Sequence, residues 1–223
     1  MVSEVAAADS TGRTALRWFA GGLVAAPLGI LPHEIGHFLV LLALGVPDLT
    51  LHFVGVTWDL EEFWLAVWRE DYATAATIAP LWGVALSDAA GPLATYVLVL
   101  ACCYGCATWR PHPALVAVAY FAQARINVAT QYAWRRLFNS ELPSDLEAMA
   151  AGANFDELRV AILTGVPVPL LVGFALVFLA ATGAWLLRYL PRGRRIVAAV
   201  SMVVGMIVSL VAYAGYVGPW LLP

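Results

Sequence analysis

The sequence predicts an all-α integral membrane protein: a bundle of five or six transmembrane helices, with a short β-hairpin and an interfacial amphipathic helix after the first helix. Three observations carry that prediction. Of 223 residues, 62% are hydrophobic and only 12% are charged. The mean hydropathy is +0.81. Apolar runs long enough to span a bilayer, about 20 residues each, recur along the chain. Soluble domains are roughly half apolar and about a quarter charged. Half the usual charge cannot cover a globular surface of this length, so lipid must solvate much of it, and the cell membrane is the expected location. The twelve basic residues are all Arg and the formal net charge is -3. No basic patch points to nucleic acid.

The first span runs from about Leu16 to Leu44. It exceeds a hydrocarbon core of about 30 Å, so it must tilt or kink, and Pro27 and Pro32 offer the places. Arg13 and Arg17 precede it as they would a secretory signal, but the run continues to Val46 with no small-residue cleavage site. Leu49, Leu51 and Phe53 then alternate with Thr50, His52 and Val54, the period of a strand and one arm of a short hairpin. Trp58, Phe63, Trp64 and Trp68 interleave with charged residues, which suits a helix lying in the headgroup region.

The apolar stretch from Ala73 to Trp109 is too long for one span, and Gly91-Pro92 divides it, with Pro92 opening the second helix. Cys102, Cys103 and Cys106 near its end read as small hydrophobes. A third span, Pro113 to Phe138, carries Gln123, Arg125, Asn127 and Gln131, residues that normally face a bundle interior or a wet cavity. Two ordinary spans follow a polar loop, at about Val166 to Leu187 and Ile196 to Val217. In the last, Ser201, Gly205 and Ser209 recur every four residues and mark a close helix contact. No internal repeat suggests a transporter.

The chemistry concentrates in His33-Glu34-Ile35-Gly36-His37. Histidines four apart on a helix project from one face and supply two of the three protein ligands of a catalytic zinc ion. Glu34 is offset by about a third of a turn, so it can reach the attacking water without binding the metal. Gly36 is expected to keep the space beside the metal free of a side chain. A polar cluster of this kind inside a span costs about 2.5–3.5 kcal/mol per charge on insertion scales, so it needs a function or a satisfied packing role. For the third ligand the candidates are Asp145, Glu141, Glu147, Asp156 and Asp88. If the second apolar stretch is a single crossing, parity brings Asp145 and Asp156 to the face of the histidine pair, with Asp145 nearer its span. Asp88 and Arg125 can pair with each other, and His52 and His112 fall in strand and loop.

Three blocks resemble the site-2 proteases, the M50 family of intramembrane zinc metallopeptidases: His33-Glu34-Ile35-Gly36-His37, Ala90-Gly91-Pro92-Leu93, and the segment Asn139, Pro143, Asp145. The resemblance covers about residues 16–150. It implies zinc held by His33, His37 and Asp145, Glu34 as the general base, and Asn139 as a residue that holds the substrate. It also implies a substrate that is a membrane-spanning protein segment, which the Leu49–Trp58 strand can engage by strand addition. The chain is then organised as an N-terminal tail (1–15), a metalloprotease core (16–150) and a C-terminal two-helix extension (151–223). Thr95 stands where the family usually has Asn, and Leu146 follows Asp145 where Gly is usual. These departures favour a rival, a zinc-binding member that does not cut. A second rival is an ion or proton carrier using Glu34, Asp88 and Arg125. The positive-inside tendency directs the site outward and the family resemblance directs it toward the cytoplasm, so orientation stays open.

Overall fold

The computed structural model describes residues 2–57, 60–109, 112–125 and 156–222, without the side chains of residues 2–9 and Arg125. The chain is mostly helical. Among the described residues, four stretches are long and apolar enough to cross a membrane: Ser10–Ala43, Leu81–Thr108, Val168–Tyr189 and Arg195–Leu221. The chain divides into two compact units, one of residues Met1–Pro32, Thr95–Ala124 and Leu179–Pro223, the other of His33–Ala94 and Arg125–Phe178.

The first long run forms α1 (Val2–Leu23) and α2 (Ala25–Ala43), with a turn at Val24. The kink expected at Pro27 takes the form of this break. A proline cannot donate to the carbonyl four residues back and its ring crowds that carbonyl. For Pro27 that carbonyl is Leu23, the last residue of α1. Pro27 itself then sits in the first turn of α2, where the missing N–H has no cost. Pro32 is carried inside α2.

The hairpin comes next. β1 (Thr50–His52) and β2 (Gly55–Thr57) pair antiparallel, with Leu51 opposite Val56. Helix α3 (Glu61–Trp68) follows, then α4 (Tyr72–Ile78). Asp71 caps α4, and the Thr74 hydroxyl and amide that donate to it hold its carboxyl below the usual range. The aromatic stretch is helical, with part of its apolar face turned inward and Leu65 left exposed. Phe63 and Val67 are buried with Leu60, Ala75, Ala79 and Val84, and Ile162 and Leu163 pack against them.

The structure corrects the expected division at Gly91-Pro92. A single helix, α5, runs from Leu81 to Thr108 with Pro92 inside it. The extra length of the apolar stretch is taken up by α4 and the bend at Ala79–Pro80, not by a break at the proline. Helix α6 (Pro113–Ala122) begins the stretch that the sequence predicts as a third span and continues as a 3-10 turn, Gln123–Arg125. The rest of that span lies outside the described residues. After α7 (Asp156–Thr164) come α8 (Val168–Leu186), α9 (Arg195–Ala212), a π turn at Tyr213–Val217 and α10 (Gly218–Leu221).

In the first unit, α1 and α9 run side by side and parallel. A Cβ on Gly22 would lie 2.8 Å from the Met206 amide, and one on Gly205 would lie 3.0 Å from the Gly22 Cα. Ser209 Oγ accepts from the Ala26 amide at 3.1 Å, one of the orphan donors that every helix N-terminus leaves. Arg194 donates to the Ser10 carbonyl at 3.1 Å and to the Ser10 and Thr14 hydroxyls. The Ser201–Gly205–Ser209 spacing thus marks a close helix contact, as its sequence suggests. Gln123, 2% exposed, is satisfied by the Ala119 carbonyl and the Thr182 hydroxyl, so this polar residue faces inward as expected; Asn127, Gln131 and the Arg125 side chain lie outside what the structure describes.

Candidate metal centre

The centre belongs wholly to the second unit and starts from the helical spacing of α2. His33 and His37, one turn apart and 2% and 7% exposed, bring their Nε2 atoms to 3.0 Å with the rings edge to face. His37 Nδ1 lies 2.7 Å from the Ser87 carbonyl of α5. A carbonyl only accepts, so Nδ1 carries a proton, and in the neutral ring Nε2 is then the bare nitrogen that can bind a metal. This is the outer partner that orients ligating imidazoles in metal sites. Pro92, inside α5, has no N–H for the carbonyl of Asp88, the residue next to Ser87.

Asp156 completes the cluster. As the first residue of α7 it directs Oδ2 to 3.1 Å from His33 Nε2 and 3.6 Å from His37 Nε2. The opposite face of α7 is fixed by Leu158, buried with Val172, and by Ile162, which packs against Phe63 and its neighbours. Two imidazole nitrogens and a carboxylate oxygen can hold a metal ion. The spacing fits one: with metal–ligand bonds of about 2.0–2.1 Å, tetrahedral ligand atoms lie about 3.3 Å apart. Distances of 3.0, 3.1 and 3.6 Å bracket that value.

Room beside the imidazoles comes from Gly91 rather than Gly36. A Cβ on Gly91 would overlap His37 Nε2 and lie 2.7 Å from His33 Nε2. Gly36 instead meets the backbone of α5, where its Cβ would lie 2.6 Å from the Ala90 carbonyl oxygen. Its lack of a side chain lets the two helices approach. Thr95, where the resemblance expects Asn, is buried at 7% exposure.

Glu34, 6% exposed, lines a cavity of about 240 Å³ together with His37, Ser87, Asp88, Asp156, Arg159 and the hairpin residues Val54 to Val56. Asp88, 2% exposed, places Oδ1 3.7 Å from Arg159 Nη1; its Oδ2 has no hydrogen-bond partner among the described residues. The Arg159 guanidinium also lies over the Trp64 ring, 5.0 Å from its centroid. Among the described side chains the cation beside Asp88 is Arg159; the Arg125 side chain, which the sequence offers as its partner, is not among them. Arg159 carried no sequence signal beyond its place three residues after Asp156.

Asp145, the expected third ligand, lies outside the described residues, as do Asn139, Glu141 and Glu147. Of the two candidates among the described residues, Asp88 and Asp156, it is Asp156 that lies beside both imidazoles. His52 shares a 2.7 Å hydrogen bond with Thr57 across the hairpin, and His112 Nδ1 accepts from the Ala114 amide at the start of α6. Both make local hydrogen bonds. No family model, no curated protein and no solved structure matches this chain.

Proposed function

We propose that the chain is an intramembrane zinc metallopeptidase, similar to the site-2 proteases, that hydrolyses peptide bonds in membrane-spanning protein segments. One observation carries the reading: His33 Nε2, His37 Nε2 and Asp156 Oδ2 converge at zinc-ligand spacing, with Glu34 lining the adjoining cavity. In this reading Asp156 is the third ligand. Zinc bound there supplies a Lewis acid that polarises a carbonyl and brings the pKa of a water to about 7. Glu34 accepts the proton of the attacking water and returns it to the leaving amide nitrogen. The Ser87 carbonyl keeps His37 in the ligating tautomer throughout.

The substrate enters as an extended strand. β2 pairs with β1 on one side only among the described residues, and its Gly55 and Val56 line the same cavity as Glu34. A strand added to that edge gains main-chain hydrogen bonds and presents its backbone to the general base. Unwinding a substrate helix exposes such a strand.

The fold proposed with this function has five crossings. Parallel packing of α1 and α9 supports an odd number of crossings between them. The stretches Leu81–Thr108 and Val168–Tyr189 supply two, and the span that opens with α6 supplies the third.

Two measurements test the reading. Purified protein is expected to hold about one zinc per chain, and protein without zinc sinks it. Glu34→Gln is expected to keep the metal and to lose about 10²–10⁴-fold in cleavage of a membrane-protein substrate. Equal cleavage by both forms removes Glu34 as the base. Zinc without cleavage by either favours the non-cutting member to which Thr95 and Leu146 point.

A further inference from the structure

We propose that Arg159 is a positioning residue of the metal centre: anchored by Asp88 and Trp64, it holds the Asp156 carboxylate against His33 and His37. The inference rests on the zinc reading above and is independent of peptide hydrolysis.

Asp156 and Arg159 are three residues apart on α7, so both side chains leave one face of the helix. Arg159 is tied at two points to two other helices, by the ion pair to Asp88 of α5 and by the indole of Trp64 in α3. Helix α5 also carries the Ser87 carbonyl that takes the His37 proton. Adjacent residues of one helix therefore orient one imidazole directly and the carboxylate through Arg159.

Charge gives the arrangement a second reason. Asp88 and Asp156 line the same cavity, and Arg159 lines it with them. Removing the guanidinium takes a positive charge from a cavity lined by two carboxylates, and the Asp88 charge then acts to turn Asp156 away from the imidazoles. Arginine suits the post better than lysine, because a planar guanidinium can lie over an indole while its edge donates to a carboxylate.

The test uses the full chain in detergent, with zinc competed against a chromophoric chelator. Arg159→Gln is expected to weaken zinc binding about 10–100-fold, the usual effect of losing a partner of a metal ligand. Arg159→Lys keeps the charge but loses the planar contact, so it should recover part of the loss. The deciding arm is the Asp156→Ala background. A residue that acts through Asp156 has nothing left to position there, so Arg159→Gln should add no further loss. Unchanged affinity in Arg159→Gln, or its full loss repeated in the Asp156→Ala background, overturns the proposal. If circular dichroism shows Arg159→Gln unfolded, Asp88→Asn and Trp64→Leu each weaken one anchor and carry the same expectations. Wild-type protein without zinc overturns the zinc reading and this one together. Wild-type protein that binds zinc but cuts nothing overturns only the peptidase.

Discussion

His37 shows how much of this site is fixed by one residue's two nitrogens. Its Nδ1–H is committed to the Ser87 carbonyl, which leaves Nε2 facing His33 Nε2 and Asp156 Oδ2. Three electron-pair donors so close repel unless a cation or a shared proton lies among them. The 3.0–3.6 Å spacing suits a metal. Gly91 sets the space available, and this gives a prediction. Gly91→Ala would drive a methyl group into both Nε2 atoms, so zinc affinity should fall by at least about tenfold, the lower end for disturbed ligand geometry. The measurement is chelator competition on folded protein, and unchanged affinity would mean the ligands do not meet beside Gly91. Gly36→Ala meets the Ala90 carbonyl instead, so it should lower thermal stability as well.

Elements in this chain are shaped by what each proline frees. Pro27 releases the carbonyl of Leu23 and the helix parts there; Pro32 and Pro92 are carried within α2 and α5. The break between α1 and α2 opens a new helix N-terminus, whose first amides lack intrahelical acceptors, and Ser209 of α9 accepts from the Ala26 amide there. Ser209→Ala removes that acceptor from a residue 4% exposed. Polar contacts between membrane helices are worth roughly 0.5–2 kcal/mol, so thermal unfolding in detergent should show a loss of that order. A loss no larger than that of an exposed Ser→Ala control would mean that another acceptor serves Ala26. Gly205→Val should be more damaging, because the added atoms meet the α1 backbone around Phe19 and Gly22.

At the scale of the molecule, the first membrane stretch is unusual in length. Ser10–Ala43 has 34 residues, about 50 Å of helix at about 1.5 Å per residue, against a hydrocarbon core of about 30 Å. Only part of it is needed for crossing. The five-crossing proposal puts the turn around Arg192–Gly193 on the face of Ser10, to which Arg194 is bonded. It puts the Pro47–Asp48 turn on the opposite face. Single cysteines at Arg192 and Asp48 should therefore label from opposite sides of sealed vesicles, with the buried native cysteines silent. Labelling from the same side rejects the proposed crossing count.

The sequence by itself determined a charge-poor chain with stretches long and apolar enough to cross a membrane, because composition alone decides whether a chain can cover itself with charge. It determined the His33–His37 pair and Glu34, because a four-residue interval on a helix fixes direction without help from the rest of the chain. The hairpin and the Ser201–Gly205–Ser209 contact were legible for the same reason, as local periods. Only the tertiary structure decided that Asp156 reaches the imidazoles, more than a hundred residues along the chain from His37. No local period encodes that approach, since it depends on α7 packing through Leu158 and Ile162 against other helices. The same holds for Arg159 at Asp88 and for Gly91, rather than Gly36, as the open side of the site. A turn of helix sets which way its side chains point, and the packing of distant segments sets what they meet.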